Sequence, residues 1–252
     1  MTEETWRLET GGPDDHLTRL TSTSGRKAVF KQPRDADAAY KPIELANELL
    51  AYKLAIRIGL PVTETRLLNL NGHFGILSVI QSEINWSQAP ESHKTSPNNA
   101  ALLRLLLVFD LWIANTDRKP DHVIFLMDGN FYPIDHSHVF NGCTHSELKW
   151  SLETVNDVSK FPLKTFPHPC EGLVKNYAEL EPAIIKIEAI SDVEIDATVE
   201  ESLGEVCTIT QLDEETILRT NFATVSALLK SRRNSIHAIV REWCMVKGKT
   251  AT

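Results

Sequence analysis

The chain has 252 residues, 42 % of them hydrophobic and 24 % charged, with a formal net charge of -8. That length allows one large domain or two lobes, and the composition is ordinary for a globular protein. The acidic balance argues against a nucleic-acid or anionic-membrane surface, since both need basic patches, but it leaves room for a local basic cleft.

Strands and turns come first. Thr10 to Asp15 reads as a turn, and His16 to Thr21 and Lys27 to Gln32 read as strands joined at Thr23-Ser24-Gly25-Arg26. A helix follows. Pro42 suits a first helical position, Leu45, Leu49, Tyr52 and Ile56 recur at helical spacing, and Gly59 with Pro61 marks the stop. Val62 to Leu70 and His73 to Ile80 read as a second hairpin around Asn71-Gly72. The stretch Asn85 to Asn98 is rich in Ser, Pro, Asn and His and reads as a linker.

Beyond it, Ala100 to Ala114 is apolar except for Arg104 and Asp110. It is shorter than the roughly 20 residues of a membrane span and reads as a buried helix. A polar loop, Asn115 to His122, leads into a short strand pair. The strands are Val123 to Met127 and Phe131 to Ile134, closed by Asp135. The remainder is expected to be mostly helical: Glu181 to Ile190, Glu214 to Lys230 capped by Asp213, and Ser235 to Val246. The acidic segment Asp192 to Cys207 has no clear assignment. These elements predict an α+β protein of two lobes. The divisions are 1–84 for the β-rich lobe, 85–98 for the linker and 99–252 for the helical lobe.

Cys143, Cys170, Cys207 and Cys244 are widely spaced without a CxxC pair. The opening MTEETWRLET lacks the features of a signal peptide, so a cytoplasmic protein with reduced thiols is expected.

The candidate chemistry lies where carboxylates can converge. Asp117 in the polar loop and Asp135 after the hairpin can meet in one cleft. Phosphoryl transfer needs such a pair: one acid orients the attacking hydroxyl, another holds a metal. The plainer alternative makes both of them turn residues. Lys31 ends a strand and can aim its ammonium into a cleft. Glu48 sits in mid-helix among Leu45, Leu49 and Tyr52, where a buried carboxylate needs a cationic partner. A strand lysine paired with a helix glutamate positions nucleotide phosphates in protein kinases. A solvated Glu48 is the alternative.

The ordered set resembles the HipA-like kinase family. It comprises Gly11-Gly12, Lys31, Asn47 to Ala55 with Gly59-Leu60-Pro61-Val62, Phe109 to Arg118, and Pro133-Ile134-Asp135-His136. The Asn-x-Asp-Arg loop is more distantly similar to lipid-kinase-like enzymes. The resemblance covers roughly residues 8–140. It implies a protein-kinase-like fold, ATP as phosphate donor, Mg²⁺ as cofactor, and a bacterial setting. Carried over by position, Lys31 looks like the nucleotide-phosphate lysine, Glu48 like its partner, and Asp117 like the catalytic acid. Asp135 stands at the metal-binding position, Gly11 and Gly12 at the phosphate loop, and Glu83 in Gln81-Ser82-Glu83-Ile84 at the adenine hinge.

Two positions depart from that pattern. The family carries Asn as a second metal ligand where this chain has His122, and the phosphate loop here carries Asp14 and Asp15, which would repel a triphosphate unless turned away or neutralised. Three readings of His122 stay open. It can bind Mn²⁺ or a similar ion, Asp121 can supply an oxygen instead, or the second metal site is lost. His136, His138, Cys143 and His145 match no zinc spacing, and they read as solvated or substrate-facing loop residues. Thr21-Ser22-Thr23-Ser24 reads as a hairpin turn rather than a phosphate acceptor.

The leading expectation is an ATP-dependent kinase acting on a Ser/Thr hydroxyl of a protein or on a small alcohol. The alternative is a pseudokinase that binds nucleotide and acts through a protein partner. A scaffold without nucleotide comes third. Neither nucleic acid nor membrane is expected as a partner.

Overall fold

A computed structural model describes residues 5–9, 17–33, 41–82, 84–136, 139–140, 168–211 and 217–250. Strands β1 (Trp6–Leu8), β2 (Leu17–Ser22), β3 (Lys27–Lys31), β4 (Thr65–Leu70) and β5 (His73–Ile80) form an antiparallel sheet in the order β1-β2-β3-β5-β4. Strand alternation sorts its two faces. Ala28 and Phe30 bury themselves with Trp6, Leu20, Leu77 and Val79 in a small core. Val29 and Lys31 therefore point the other way. Register adds Arg19 and Ser78 beside Val29, and Leu17 and Ile76 beside Lys31. This second face carries the lysine.

The turns follow their residues. Asn71 and Gly72 both take positive φ, 54° and 88°, as the two-residue hairpin requires. Helix α1 (Lys41–Arg57) ends at Gly59, φ 76°. Gly59 N–H donates to Ile56 O and Leu60 N–H to Ala55 O, each at 3.0 Å, which satisfies the last carbonyls in a Schellman motif.

The polar stretch 85–98 is not a free connection. Strand β6 (Ile84–Asn85) pairs with β7 (Val123–Phe125), which pairs with β8 (Phe131–Pro133) in a second sheet. Helix α2 (Glu91–Thr95) follows, and Ser96 Oγ caps α3 (Pro97–Trp112) by accepting from Asn99 N–H at 3.4 Å. Asn99 Nδ2 donates to the carbonyls of His93 (2.7 Å) and Gly129 (2.6 Å), tying α2, α3 and the β7–β8 turn together. The composition of a linker here is the composition of two helix starts and a tight turn.

Helix α3 is buried along most of its length, and its end is closed from a distance. The buried Arg232 donates to the carbonyls of Trp112 (2.9 Å) and Leu111 (2.5 Å), and Trp112 Nε1 returns a bond to Leu229 O at 2.9 Å. Arg232 lies on α6 (Ile217–Asn234), which packs with α4 (Glu181–Glu188), α5 (Asp192–Thr210) and α7 (Ile236–Val246). The unassigned acidic segment is α5, opened by a capping box between Ser191 and Glu194. Asp213, the expected cap of α6, lies outside the described residues. One core runs from α1 through α3 and β7–β8 into α4–α7. Among the described residues no helix is long and apolar enough to cross a membrane.

Candidate active site

A cleft of about 480 Å³ opens between the lysine-bearing face of the first sheet and the β6–β8 unit. Val29, Ile80, Ile124 and Ile134 line it with apolar surface, and Lys31, Glu48, Asp121, His122 and Asp135 line it with charge.

Lys31 joins the two parts. Its Nζ lies 2.5 Å from Asp135 Oδ1 and 3.4 Å from Glu48 Oε2. Burial alone would lower the lysine pKa, but the two carboxylates outweigh it and hold the ammonium charged, above its ordinary value. Burial pushes the Glu48 carboxyl upward, against the pull of Lys31. Glu48 also accepts the backbone N–H of His136 at 2.9 Å through Oε1. One helix carboxylate thus fixes both the lysine and the backbone next to Asp135. Asp135 itself has φ 58°, a left-handed conformation that Asp tolerates better than most residues.

A second, fully buried network lies beneath. Arg118 forms a two-bond fork on Asp110, Nε to Oδ2 at 2.8 Å and Nη2 to Oδ1 at 3.0 Å. Its Nη1 donates to the carbonyls of Ile134 (2.5 Å) and His122 (3.3 Å), which flank the site residues. Asn115 Nδ2 adds a bond to Asp110 Oδ1 at 2.8 Å. His168 Nδ1 accepts from Cys170 N–H at 3.1 Å, so its Nε2 carries the proton and donates to Asp110 Oδ2 at 3.0 Å. Burial would raise the Asp110 pKa, but Arg118 and His168 hold it far below the usual range. The sequence held a signal for this network. A lone carboxylate inside an apolar helix requires a buried cation.

Two histidines beside Asp135 are desolvated. His122 Nε2 is 3.5 Å from Asp135 Oδ2, and its Nδ1 is buried with no hydrogen-bond partner among the described residues. Burial lowers its pKa, against the pull of Asp135. The imidazole is therefore neutral near neutral pH and can act as a ligand. His136 packs edge-on against Phe109 and is buried, contrary to the solvated loop role expected for it. His138, Cys143 and His145 lie outside the described residues. Among the described residues no three metal-ligating side chains are grouped to hold an ion.

Burial, with Arg118 close by, lowers the His136 pKa to about 3. A depressed folded pKa means that the unfolded chain binds the extra proton, so stability falls as pH drops below about 6.5, by about 1.4 kcal/mol per pH unit. Urea unfolding between pH 7 and 4 is expected to show this slope. His136→Phe, which cannot titrate, is expected to make the slope shallower by about 1.4 kcal/mol per pH unit, while the desolvated His122 and His168 keep their part of it. An unchanged slope in that variant would assign the acid sensitivity elsewhere.

The other expected site residues divide. Asp121 lines the cleft, with Oδ1 accepting from Asn85 Nδ2 at 3.0 Å. Asp117 does not line it. That carboxylate is half-buried and accepts from Lys119 Nζ at 2.8 Å, while its N–H donates to Asn115 Oδ1 at 3.1 Å. Gly11, Gly12, Asp14, Asp15 and Glu83 lie outside the described residues. Ser22 in the hydroxyl cluster serves the turn, accepting Arg26 N–H at 3.0 Å. Tyr132, which sequence reasoning passed over, also lines the cleft, and its hydroxyl accepts Gln81 N–H at 3.2 Å.

No protein-family model and no curated protein matches the sequence. Among solved structures, the fold is similar to that of the Helicobacter pylori proinflammatory kinase CtkA, with a TM-score of 0.58 at 12 % identity. The likeness covers 95 % of this chain and 96 % of that one. At such identity it shows a kinase-like fold and not a specific family within it.

Proposed function

We propose that this chain is an ATP-dependent kinase. It would hold the nucleotide in the cleft and pass the γ-phosphate to a Ser/Thr hydroxyl of a protein or to a small alcohol. The observation that carries this reading is Lys31 bridging Glu48 and Asp135 at the edge of an apolar slot. The slot suits a flat base, and the ammonium suits phosphate oxygens. The kinase-like fold, which it shares with CtkA, supports the same reading.

The residues present fit a divalent ion that takes part of its shell from nucleotide phosphates. Asp135 offers carboxylate oxygen, and the neutral His122, whose Nδ1 has no hydrogen-bond partner among the described residues, lies beside it. Asp121 has one oxygen engaged by Asn85, so His122 is the better second candidate. When bound, such an ion neutralises charge on the phosphates. An imidazole ligand would tilt the preference from Mg²⁺ toward Mn²⁺.

One observation favours a second reading, the nucleotide-binding pseudokinase acting through a protein partner. Asp117, the expected acid for the substrate hydroxyl, is engaged with Lys119 and stands outside the cleft lining.

A thermal-shift titration with ATP under Mg²⁺, Mn²⁺ or chelator, on wild type and Asp135→Asn, separates them, since a native-state ligand raises apparent stability. Under the kinase reading ATP stabilises wild type only with a divalent ion, the shift is larger with Mn²⁺, and Asp135→Asn loses it. Metal-independent stabilisation of both proteins would favour the pseudokinase, and no shift in any condition would remove the nucleotide from the account. In radiolabel transfer assays Asp117→Ala is expected to abolish transfer while ATP binding survives. Wild-type transfer in that variant would remove Asp117 from the chemistry.

A further inference from the structure

The Tyr132 hydroxyl sits at the junction of the two sheets. Its ring lies opposite Ile124 across the β7–β8 pair and lines the cleft. Its oxygen accepts the Gln81 N–H at 3.2 Å. Gln81 and Ser82 continue directly from Ile80, a wall of the apolar slot. The Gln81 backbone donor is thus spent on a side chain instead of being offered to the cleft.

A phenol has one proton and limited acceptor capacity. With the Gln81 N–H on its oxygen, the hydroxyl still has its proton to give. Among the described residues no acceptor takes that proton. An unused donor on the wall of a mostly apolar slot is a specificity element, because such slots fix orientation with a few placed polar groups. Leaving it unpaired against a ligand carries a penalty, and pairing it removes one.

Building on the nucleotide reading above, we propose that the Tyr132 hydroxyl reads the base of the bound nucleotide. It relays the Gln81 backbone donor into the cleft as an O–H donor to a ring-nitrogen acceptor on a purine edge. The slot formed by Ile80, Ile124 and Tyr132 selects a flat heteroaromatic ring. The hydroxyl selects one that presents an acceptor at that point. A base with a C–H or N–H there leaves the donor unpaired or sets it against another donor.

The test is a calorimetric titration of the full chain, with Mg²⁺ present, using ATP and its 1-deaza, 3-deaza and 7-deaza analogues, each of which replaces one ring nitrogen by C–H. Wild type is expected to bind one analogue about tenfold more weakly than ATP. Tyr132→Phe keeps the ring and is expected to bind ATP about as weakly as that analogue, with the difference between the two reduced below about twofold, as a coupled pair requires. Equal binding of ATP and all three analogues by wild type overturns the proposal without recourse to the variant. Persistence of the analogue's penalty in a folded Tyr132→Phe protein also overturns it, by moving the donor to the backbone. If wild type binds none of the four nucleotides, the nucleotide reading itself fails, which is a different result from tight ATP binding without discrimination.

Discussion

Lys31→Met is expected to reduce phosphoryl transfer by about 10³-fold or more and to lose less stability than wild type on going from neutral pH to mild acid. The first effect follows from the loss of the only lysine among the described residues that line the cleft, where charge must be held against the transferring phosphate. The second follows from what Lys31 leaves behind. Glu48 and Asp135 both contact its Nζ, and Glu48 is buried. Without the ammonium, both carboxylates lose the cation they share, and the buried Glu48 takes up a proton more readily.

The sign can be worked through Glu48. Its folded pKa already lies above its ordinary value because of burial, and Lys31 pulls against that rise. Removing Lys31 raises it further. A carboxyl with a raised folded pKa binds more protons folded than unfolded, so stability falls as pH rises through the unfolded value toward the folded one. Urea unfolding is expected to show that Lys31→Met loses less stability between pH 8 and pH 5 than wild type does. Adding Glu48→Gln to Lys31→Met is expected to remove this protection in acid without restoring transfer. A Lys31→Met protein with wild-type transfer, or with the pH dependence of wild type, would break the link between the triad and either property.

Much of this site could be read along the chain, for local reasons. Lys31 ends a strand whose alternation puts Ala28 and Phe30 in a core, so the lysine had to face the other side. Glu48 falls among Leu45, Leu49 and Tyr52 on α1, where only a partner makes a carboxylate tolerable, and that partner is present. The Asn71-Gly72 hairpin and the Gly59 stop are set by residues that accept positive φ. In each case a short period or a single conformational requirement decides the structure.

What stayed hidden depends on long-range choices. Nothing local says which way a loop carboxylate points. Asp117 and Asp121 are both loop acids, yet only Asp121 faces the cleft, because Asn85 of β6 reaches it. Asp110 and His168 are 58 positions apart and meet only because α3 and the 168–173 segment pack together. The 85–98 stretch shows the opposite case: its Ser, Pro and Asn are strong local signals, but cap residues and linker residues are the same residue types. Tyr132 alternates normally within an apolar strand, and only the sheet junction gives its hydroxyl a task.

The buried Arg118–Asp110 pair gives the second large prediction. Arg118→Met is expected to lose about 3–5 kcal/mol of stability, because it leaves the Asp110 carboxylate at 0 % side-chain exposure without its cation. The remaining donors, Asn115 Nδ2 and His168 Nε2, cannot replace a two-bond guanidinium fork. Arg118→Lys is likewise expected to rescue little. Arg118 lowers the His168 pKa while Asp110 raises it, so removing the arginine is expected to move the His168 titration upward, toward an Asp110–His168 ion pair. Proton NMR of the histidine ring reads that shift directly. Function should fall as well. Arg118 holds the carbonyls of His122 and Ile134, and those residues set where His122 and Asp135 stand. Displacement on the order of 1 Å at Asp135 is enough to cost about 10²-fold in turnover. A stable Arg118→Met protein with an unmoved His168 titration would show that the fork neither supports the fold nor positions the site. A destabilised protein whose turnover, measured well below its melting temperature, matches wild type would confine Arg118 to stability alone.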